Sequence, residues 1–100
     1  MSAWERFDFA ETTSTNDEVK KLCETEQGGK KLMVTAARQT AGRGRRGRSW
    51  ISMDGNLFVS FGVEVEPRTL GQITFVIGLS LLEAIRHFAP KIDVKLKWPN

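Results

Sequence analysis

The order of hydrophobic and polar positions along the chain predicts four strands and two helices. Four short segments are predicted as strands, three from apolar residues that share one face and one from its β-branched residues, Val34 and Thr35. These segments are residues 4–9, 32–39, 56–66 and 93–98. The third alternates most regularly, and Pro67 ends it. Its predicted buried face consists of Leu57, Val59, Phe61, Val63 and Val65.

Two further segments have the helical period. The first follows a run of hydroxyl and acidic residues in which Thr15 and Glu18 have the spacing of a capping box, and it stops at Gln27-Gly28-Gly29. The second extends from Thr69 to Phe88 and is followed by Pro90. Because its apolar residues recur at helical spacing with few charges between them, this second helix is predicted to be largely buried.

The element order β-α-β-loop-β-α-β predicts an α/β fold of the α+β type, in which a mixed β-sheet packs with helices. One hundred residues are enough for one domain. The last residues, Lys97-Trp98-Pro99-Asn100, follow directly on a predicted strand, with no closing helix or polar tail. We therefore expect residues 1–100 to be the N-terminal portion of a catalytic domain that is truncated after Asn100.

The net charge of +3 originates in one short segment. Fifteen Lys and Arg stand against twelve Asp and Glu, and four of the arginines lie between Gly42 and Arg48. Without those four the chain would be slightly acidic, which argues against a broad polyanion-binding face.

Other features of the sequence indicate the cellular compartment and exclude some kinds of catalytic site. Cys23 is the only cysteine, the first ten residues lack an apolar signal core, and the run Ile73 to Leu82 is about half of a membrane span. We therefore expect a cytoplasmic protein. With one cysteine and one histidine, His87, no metal site of known spacing is expected, and no nucleophile motif indicates covalent catalysis.

The segment Gly42-Arg43-Gly44-Arg45-Arg46-Gly47-Arg48 is the main candidate for chemistry. Glycines bring backbone N–H groups close to a ligand and arginines match phosphate oxygens, so the segment suits a mobile clamp over a phosphate; a solvated, disordered loop is the alternative. It has neither the P-loop lysine nor the helix of a dinucleotide fingerprint. Trp50, at its end, is either a lid or, as composition favours, a core anchor.

A second candidate lies at the start of the first helix. Ser14, Thr15 and Asn16 could simply cap that helix, or they could hold a neutral polar ring or an anion. Gln39 ends the second strand, where α/β sheets commonly place ligand contacts; the alternative is a surface glutamine.

Four motifs cover most of the chain: Thr13-Ser14-Thr15-Asn16, Ala37 to Trp50, Gly55-Asn56-Leu57 and Lys97-Trp98-Pro99-Asn100. Their content and order resemble biotin–protein ligases, in the form without a DNA-binding winged helix. The resemblance implies a class II synthetase-like biotin/lipoate ligase catalytic domain. In that family the biotin carboxylate attacks the α-phosphate of ATP, which binds with Mg²⁺, and gives biotinyl-5′-AMP and pyrophosphate. A lysine of a biotin carboxyl carrier domain of a biotin-dependent carboxylase then displaces AMP.

The resemblance also assigns partners and roles. No DNA or membrane partner is expected, and a homodimer remains open. Ser14, Thr15 and Asn16 would hydrogen-bond the ureido ring of biotin, and Gln39 would contact its polar edge.

Within the arginine segment, Arg43, Gly44 and Arg45 would order around the carboxylate and phosphate. Arg43 and Arg45 are the catalytic candidates, with Arg45 as the main charge stabiliser, and Trp50 would help to close the loop over the ligand. The nucleotide side is assigned to Arg46, Arg48 and Asn100.

One departure limits what the resemblance implies. The family continues after the Trp-Pro-Asn motif with an acidic residue and a lysine that binds the biotin carboxylate and phosphate. Lys95 and Lys97 are not at that position. We therefore expect this chain to carry the biotin half of the site and to be weakly active or inactive alone.

The sequence leaves two alternative functions. A lipoate or octanoate transferase belongs to the same superfamily, but the lipoate ring has no ureido group for the Ser-Thr-Asn cap to hydrogen-bond. A small nucleic-acid-binding module would use the Arg-Gly segment, yet no stacking aromatics are interleaved with the arginines.

Overall fold

The chain divides into two units, Met1–Glu64 and Val65–Asn100, and the structure, a computed structural model, describes residues 3–25 and 27–97. The first unit contains, in chain order, β1 (Glu5–Thr12), α1 (Thr15–Cys23), β2 (Leu32–Gln39), β3 (Gly42–Arg43), β4 (Ser49–Trp50) and β5 (Phe58–Gly62). The second contains α2 (Leu70–Phe88), preceded by a short 3₁₀ turn, Pro67–Thr69.

The main sheet of the first unit is mixed, as predicted. Strand β2 lies in the middle, parallel to β1 and antiparallel to β5. Helix α1 is the crossover that parallel neighbours require. The β1–β2 register runs from Glu5 opposite Leu32 to Thr12 opposite Gln39, so both strands end at the same edge. β1 also continues three residues beyond the predicted end at Phe9.

The core lies between α1 and one face of this sheet. Val19 of the helix is buried with four residues of the sheet: Leu32, Val34, Ala36 and Phe58. Gly62 permits this contact, because a Cβ there would stand 3.0 Å from Val19 Cγ1 and 3.4 Å from Leu32 Cβ. Any larger residue at position 62 would force the side chains of Val19 and Leu32 to shift.

The predicted buried face of β5 is wrong. Phe58, Ser60 and Gly62 are buried, whereas Val59 is half-buried and Phe61 is 54% exposed. Apolar residues occupy both faces of this strand, so alternation alone does not reveal which face meets the helix. Phe61 instead makes an edge contact with Trp4, at a ring-centroid distance of 5.4 Å.

The first turn of α1 is displaced by one residue from the predicted capping box. Ser14, not Thr15, is the N-cap, and its hydroxyl accepts a hydrogen bond from the backbone N–H of Asp17. The Glu18 carboxylate accepts from the Thr12 hydroxyl at 2.9 Å instead of reaching back to the cap. A run of consecutive capping residues leaves the exact start of a helix open, and contacts with the sheet select it.

In the second unit, α2 has its predicted length but none of its residues is buried. Of the residues at helical spacing, Ile73 and Ile85 are half-buried, whereas several others are more than half exposed: Val76, Ile77, Leu81 and Phe88. An apolar period therefore does not establish that a partner covers the helix. Together with its preceding turn, this helix is long and apolar enough to cross a membrane by length and composition, a test that core helices of soluble proteins also pass. Burial of α2 was therefore predicted wrongly for the unit by itself.

The last predicted strand is also not observed in the described part of the chain, because residues 93–97 have no strand pairing. Leu96 lies against α2, 3.6 Å from the position of a Cβ on Gly78. Trp98, the end of that prediction, lies outside the described residues.

Candidate functional site

The candidate site lies where β1 and β2 end. Their parallel pairing brings Thr12 and Gln39 side by side, and α1 begins three residues after Thr12. The backbone continues the pairing past both strands, since the N–H of Ala41 donates to the carbonyl of Thr13 at 2.7 Å. The start of α1 and the arginine segment therefore leave the sheet from one edge.

A network of polar side chains connects the start of α1 with β2 and β5 at this edge. Gln39 Oε1 accepts from the backbone N–H of Thr15 at 2.9 Å, and Thr15 Oγ1 lies 2.8 Å from Ser60 Oγ. The Ser60 hydroxyl donates to Asn16 Oδ1. One assignment of protons satisfies all three contacts, namely Thr15 donating to Ser60 and Ser60 donating to Asn16. Thr15 and Ser60 are buried, whereas Asn16 is exposed and turns the network towards solvent.

Gln39 links the helix to the arginine segment. Its amide nitrogen donates to Ser52 Oγ at 3.0 Å, just after β4. Gly42 packs over this bond: a Cβ there would lie 2.6 Å from Ser52 Oγ, 2.8 Å from Gln39 Nε2 and 3.1 Å from the carbonyl oxygen of Trp50. The glycine is therefore required by a close approach, and Gln39 is a half-buried bridge, not a surface residue.

The buried hydroxyl side chains at this end of the sheet are all engaged. Ser14 is 1% exposed, and its cap bond to the Asp17 N–H is long, at 3.4 Å. Among the described residues, no buried side-chain nitrogen or oxygen lacks a hydrogen-bond partner. A polar cluster that is fully satisfied in this way is rigid, and it holds its outermost member, Asn16, in place.

The arginine segment forms a short hairpin, whereas its composition predicts a loop with neither helix nor strand. Strands β3 and β4 pair antiparallel, and the N–H of Gly44 donates to the carbonyl of Arg48 at 2.7 Å. The tip is a 3₁₀ turn, Arg45–Gly47, in which Arg46 has a φ of 59°. A non-glycine residue in the left-handed region is strained, so the tip holds Arg46 at a cost of local stability. Gly44, predicted to present its backbone N–H to a ligand, uses it within the turn.

The four guanidiniums of the hairpin differ in their electrostatic partners. Arg43 Nε donates to Asp17 Oδ1 at 2.8 Å and so ties the hairpin to the first turn of α1. In the described part of the chain, Arg45, Arg46 and Arg48 form no ion pair and are exposed. Three unpaired cations on one short turn favour binding of an anion with several oxygens.

Trp50 and Asn100 are the remaining predicted site residues. Trp50 is 64% exposed on β4, so the prediction of a core anchor is wrong and its ring is available to a ligand. Asn100 lies outside the described residues. Among the described residues, no group of three or more His, Cys, Asp or Glu could hold a metal ion, and Cys23 is exposed as a free thiol.

A second ion-pair cluster supports the segment that leads away from the hairpin. Arg38 donates to both carboxylate oxygens of Asp54 and lies 3.7 Å from Glu11. The hydrogen bond from Arg38 lowers the pKa of Asp54, and the same bond raises the pKa of Arg38. The pKa of Asp8 on β1 is lowered first by the hydrogen bond from the Thr35 hydroxyl on β2 and then by Arg6. These groups are exposed, so their contribution to stability is small, and they lie around the site without entering it.

Sequence reasoning missed three residues of the arrangement: Ser52, Ser60 and the ion-pairing role of Asp17. Ser60 had a signal, because a serine inside the apolar run Phe58-Val59-Ser60-Phe61 must find a partner if it is buried. Ser52 and the Asp17–Arg43 pair had none, since each contact joins segments that are distant along the chain.

The chain is similar to known proteins over nearly its whole length. Residues 8–100 match the model of the biotin/lipoate A/B protein ligase family. It is 37% identical to a biotin--[acetyl-CoA-carboxylase] ligase of Paracoccus denitrificans over 92% of this chain and 39% of that protein. Identity to the ligase of the same name from Mycobacterium tuberculosis is 31%, over 99% of this chain and 40% of that protein.

Solved structures have the same fold. Biotin protein ligase from Leishmania major, in complex with biotinyl-5-AMP, matches with a TM-score of 0.81 and 31% identity, over 96% of this chain and 45% of that one. The ligase from Aquifex aeolicus, in complex with biotin and ATP, matches with a TM-score of 0.72 and 35% identity, over 96% and 40%. The chain spans about two fifths of the length of the curated relatives above.

Proposed function

The chain belongs to the biotin/lipoate A/B protein ligase family, and we propose that it supplies the biotin-binding part of an ATP-dependent biotin–protein ligase. The observation that carries this proposal is the meeting of a neutral polar network and a cationic hairpin at one sheet edge. Biotin has the matching chemistry, a neutral ureido ring at one end and a carboxylate at the other.

The ureido ring would bind at the start of α1. Asn16 is exposed and fixed by Ser60, so its amide can pair with one ureido group without first being ordered. Thr15 and Gln39 would bind through their remaining lone pairs and N–H groups. Ser14 can join them at low cost, because its cap bond of 3.4 Å is long for a hydrogen bond.

The carboxylate would lie towards the hairpin, where the charge of the reaction develops. Its oxygen would attack the α-phosphorus of ATP, forming biotinyl-5′-AMP as the bond to pyrophosphate breaks. Two anions must approach each other in this step, and Arg43 and Arg45 would neutralise them. Removing one such aimed donor typically costs about 2.7–4 kcal/mol in the barrier. Arg46 and Arg48 would contact the nucleotide, with Mg²⁺ arriving on the ATP phosphates.

The second step would transfer biotin to a protein. The ε-amine of a lysine on a biotin carboxyl carrier domain would attack the acyl carbon, and AMP would leave. Trp50, which is largely exposed, could cover the adenylate and exclude water from it until the carrier arrives. Similar ligases solved with biotinyl-5-AMP, and with biotin and ATP, support these ligands for the site. We place the protein in the cytoplasm, which suits its free Cys23 thiol.

The test is a calorimetric titration of the 100-residue chain, shown to be folded by circular dichroism, with a non-hydrolysable biotinyl-adenylate analogue. We expect saturable binding of the analogue. Biotin should compete with it and lipoate should not, and Arg45→Ala should weaken its binding. Arg68→Ala is the matched control: it also removes an exposed arginine, but one that pairs with Glu66 in the second unit. Tighter competition by lipoate would favour a lipoate transferase, and salt-sensitive binding of RNA without binding of the analogue would favour a nucleic-acid module.

A further inference from the structure

The contact between Arg43 and Asp17 joins the two halves of the proposed site. Asp17 lies in the first turn of α1, directly after Asn16, and its side chain is 24% exposed; that of Arg43, on β3, is 59% exposed. The hydrogen bond of 2.8 Å uses Nε of the guanidinium. Neither terminal nitrogen of Arg43 donates to any residue that the structure describes.

We propose that Asp17 is a positioning residue, which orients Arg43 so that both of its terminal nitrogens face the anionic end of the ligand. This inference rests on the proposed function. A free arginine side chain has many rotamers and loses them when it binds, whereas one held at Nε has already lost most of this entropy. The two terminal nitrogens then form the parallel fork that a carboxylate or phosphate accepts in bidentate fashion.

An opposite role for Asp17 would use the same contact. A carboxylate bound to Arg43 could compete with the carboxylate or phosphate of the ligand, and the ligand would then have to displace it. The geometry argues against competition, because the bond occupies Nε and leaves the terminal fork open. The two roles predict opposite signs: loss of Asp17 weakens binding if it positions Arg43 and strengthens binding if it competes.

The experiment measures the affinity of the wild-type chain and of Asp17→Ala for two probes, the biotinyl-adenylate analogue and the neutral amide of biotin. We expect Asp17→Ala to lower the affinity for the analogue by about three- to tenfold, which corresponds to the cost of immobilising one long side chain. Affinity for the amide is expected to stay unchanged, because it lacks the anionic group. In an Arg43→Ala background, Asp17→Ala should have no further effect.

A matched control separates this role from helix capping. Glu18→Gln also removes a carboxylate charge from the first turn of α1, but Glu18 contacts Thr12 and Lys21 and not the hairpin. It should leave both affinities unchanged. A ligand-free measurement adds to this: the Nε–H signal of Arg43 in an NMR spectrum should be slow to exchange in the wild type and fast in Asp17→Ala.

The outcomes are distinguishable. Tighter or unchanged binding of the analogue by Asp17→Ala, an equal loss for both probes, or a persisting loss in the Arg43→Ala background would each overturn the positioning role while leaving the proposed function intact. A folded wild-type chain that binds neither probe would instead contradict the proposed function, and the inference with it.

Discussion

Gly42→Ala tests how closely the hairpin is fitted to the polar network. The added methyl group would lie 2.6 Å from Ser52 Oγ and 2.8 Å from Gln39 Nε2, so the hydrogen bond between these atoms must open. The third contact, 3.1 Å to the carbonyl oxygen of Trp50, is with backbone and cannot be relieved by a side-chain rotation. The hairpin must therefore shift.

The magnitude of this effect follows from three contributions. Losing a half-buried hydrogen bond costs about 1 kcal/mol, and forcing a methyl group into a packed position costs about 1–3 kcal/mol. Replacing glycine by alanine restricts the unfolded chain and returns about 0.4–1 kcal/mol. We expect a net loss of about 1–4 kcal/mol in the free energy of unfolding, together with weaker binding of the biotinyl-adenylate analogue, because Gln39 loses its support.

Urea unfolding, followed by circular dichroism and tryptophan fluorescence, measures the stability, and calorimetry measures the affinity. Gly71→Ala provides the control, because it makes the same change in α2 at a position with no atom within 4 Å. That variant should be neutral or stabilised by up to about 1 kcal/mol. The reasoning is refuted if Gly42→Ala matches wild type in both stability and affinity.

The remaining predictions concern the core, the hairpin and the loss of stability at acid pH. Leu32→Ala, at a fully buried position, should cost about 2–5 kcal/mol in urea unfolding, whereas Phe61→Ala, at a half-exposed one, should cost about 1–2 kcal/mol; equal losses would contradict the observed face of β5. Arg45→Ala should leave the circular dichroism spectrum intact and weaken the analogue by about tenfold or more, as loss of an aimed charged donor does; unchanged affinity would remove its assigned role. The Arg38 contact lowers the pKa of Asp54, so its stabilisation is present above the usual value near 3.8 and is lost as pH falls below it. Asp54→Asn should therefore reduce the fall in urea midpoint between pH 7 and 3, and an unchanged fall would argue against this linkage.

Local patterns in the sequence were sufficient to predict most of the secondary structure of the first unit. Strands β1 and β2 and helix α1 were predicted near their observed bounds, because alternation and capping residues act within a few positions of each other. The mixed sheet followed from element order, and the motifs around Ser14 and Arg43 indicated the family to which the chain belongs. These features could be predicted because they depend on residues that are close together in the sequence.

Features that depend on contacts between distant segments were decided only by the tertiary structure. Large apolar residues lie on both faces of β5, so only the packing of α1 on Gly62 shows that Phe58 is buried and Phe61 is not. In the same way, the pairing of β3 with β4 forms a hairpin from a glycine-arginine segment whose composition predicts a mobile loop without strands.

The candidate site shows the same division. The sequence by itself determined that a polar helix start, a strand-ending glutamine and an arginine cluster are present. Only the tertiary structure decided that Gln39 joins Thr15 to Ser52, and that Asp17 holds Arg43 by one nitrogen. The physical reason is that a hydrogen bond needs two groups within about 3 Å, and the fold alone sets that distance for residues far apart in the chain.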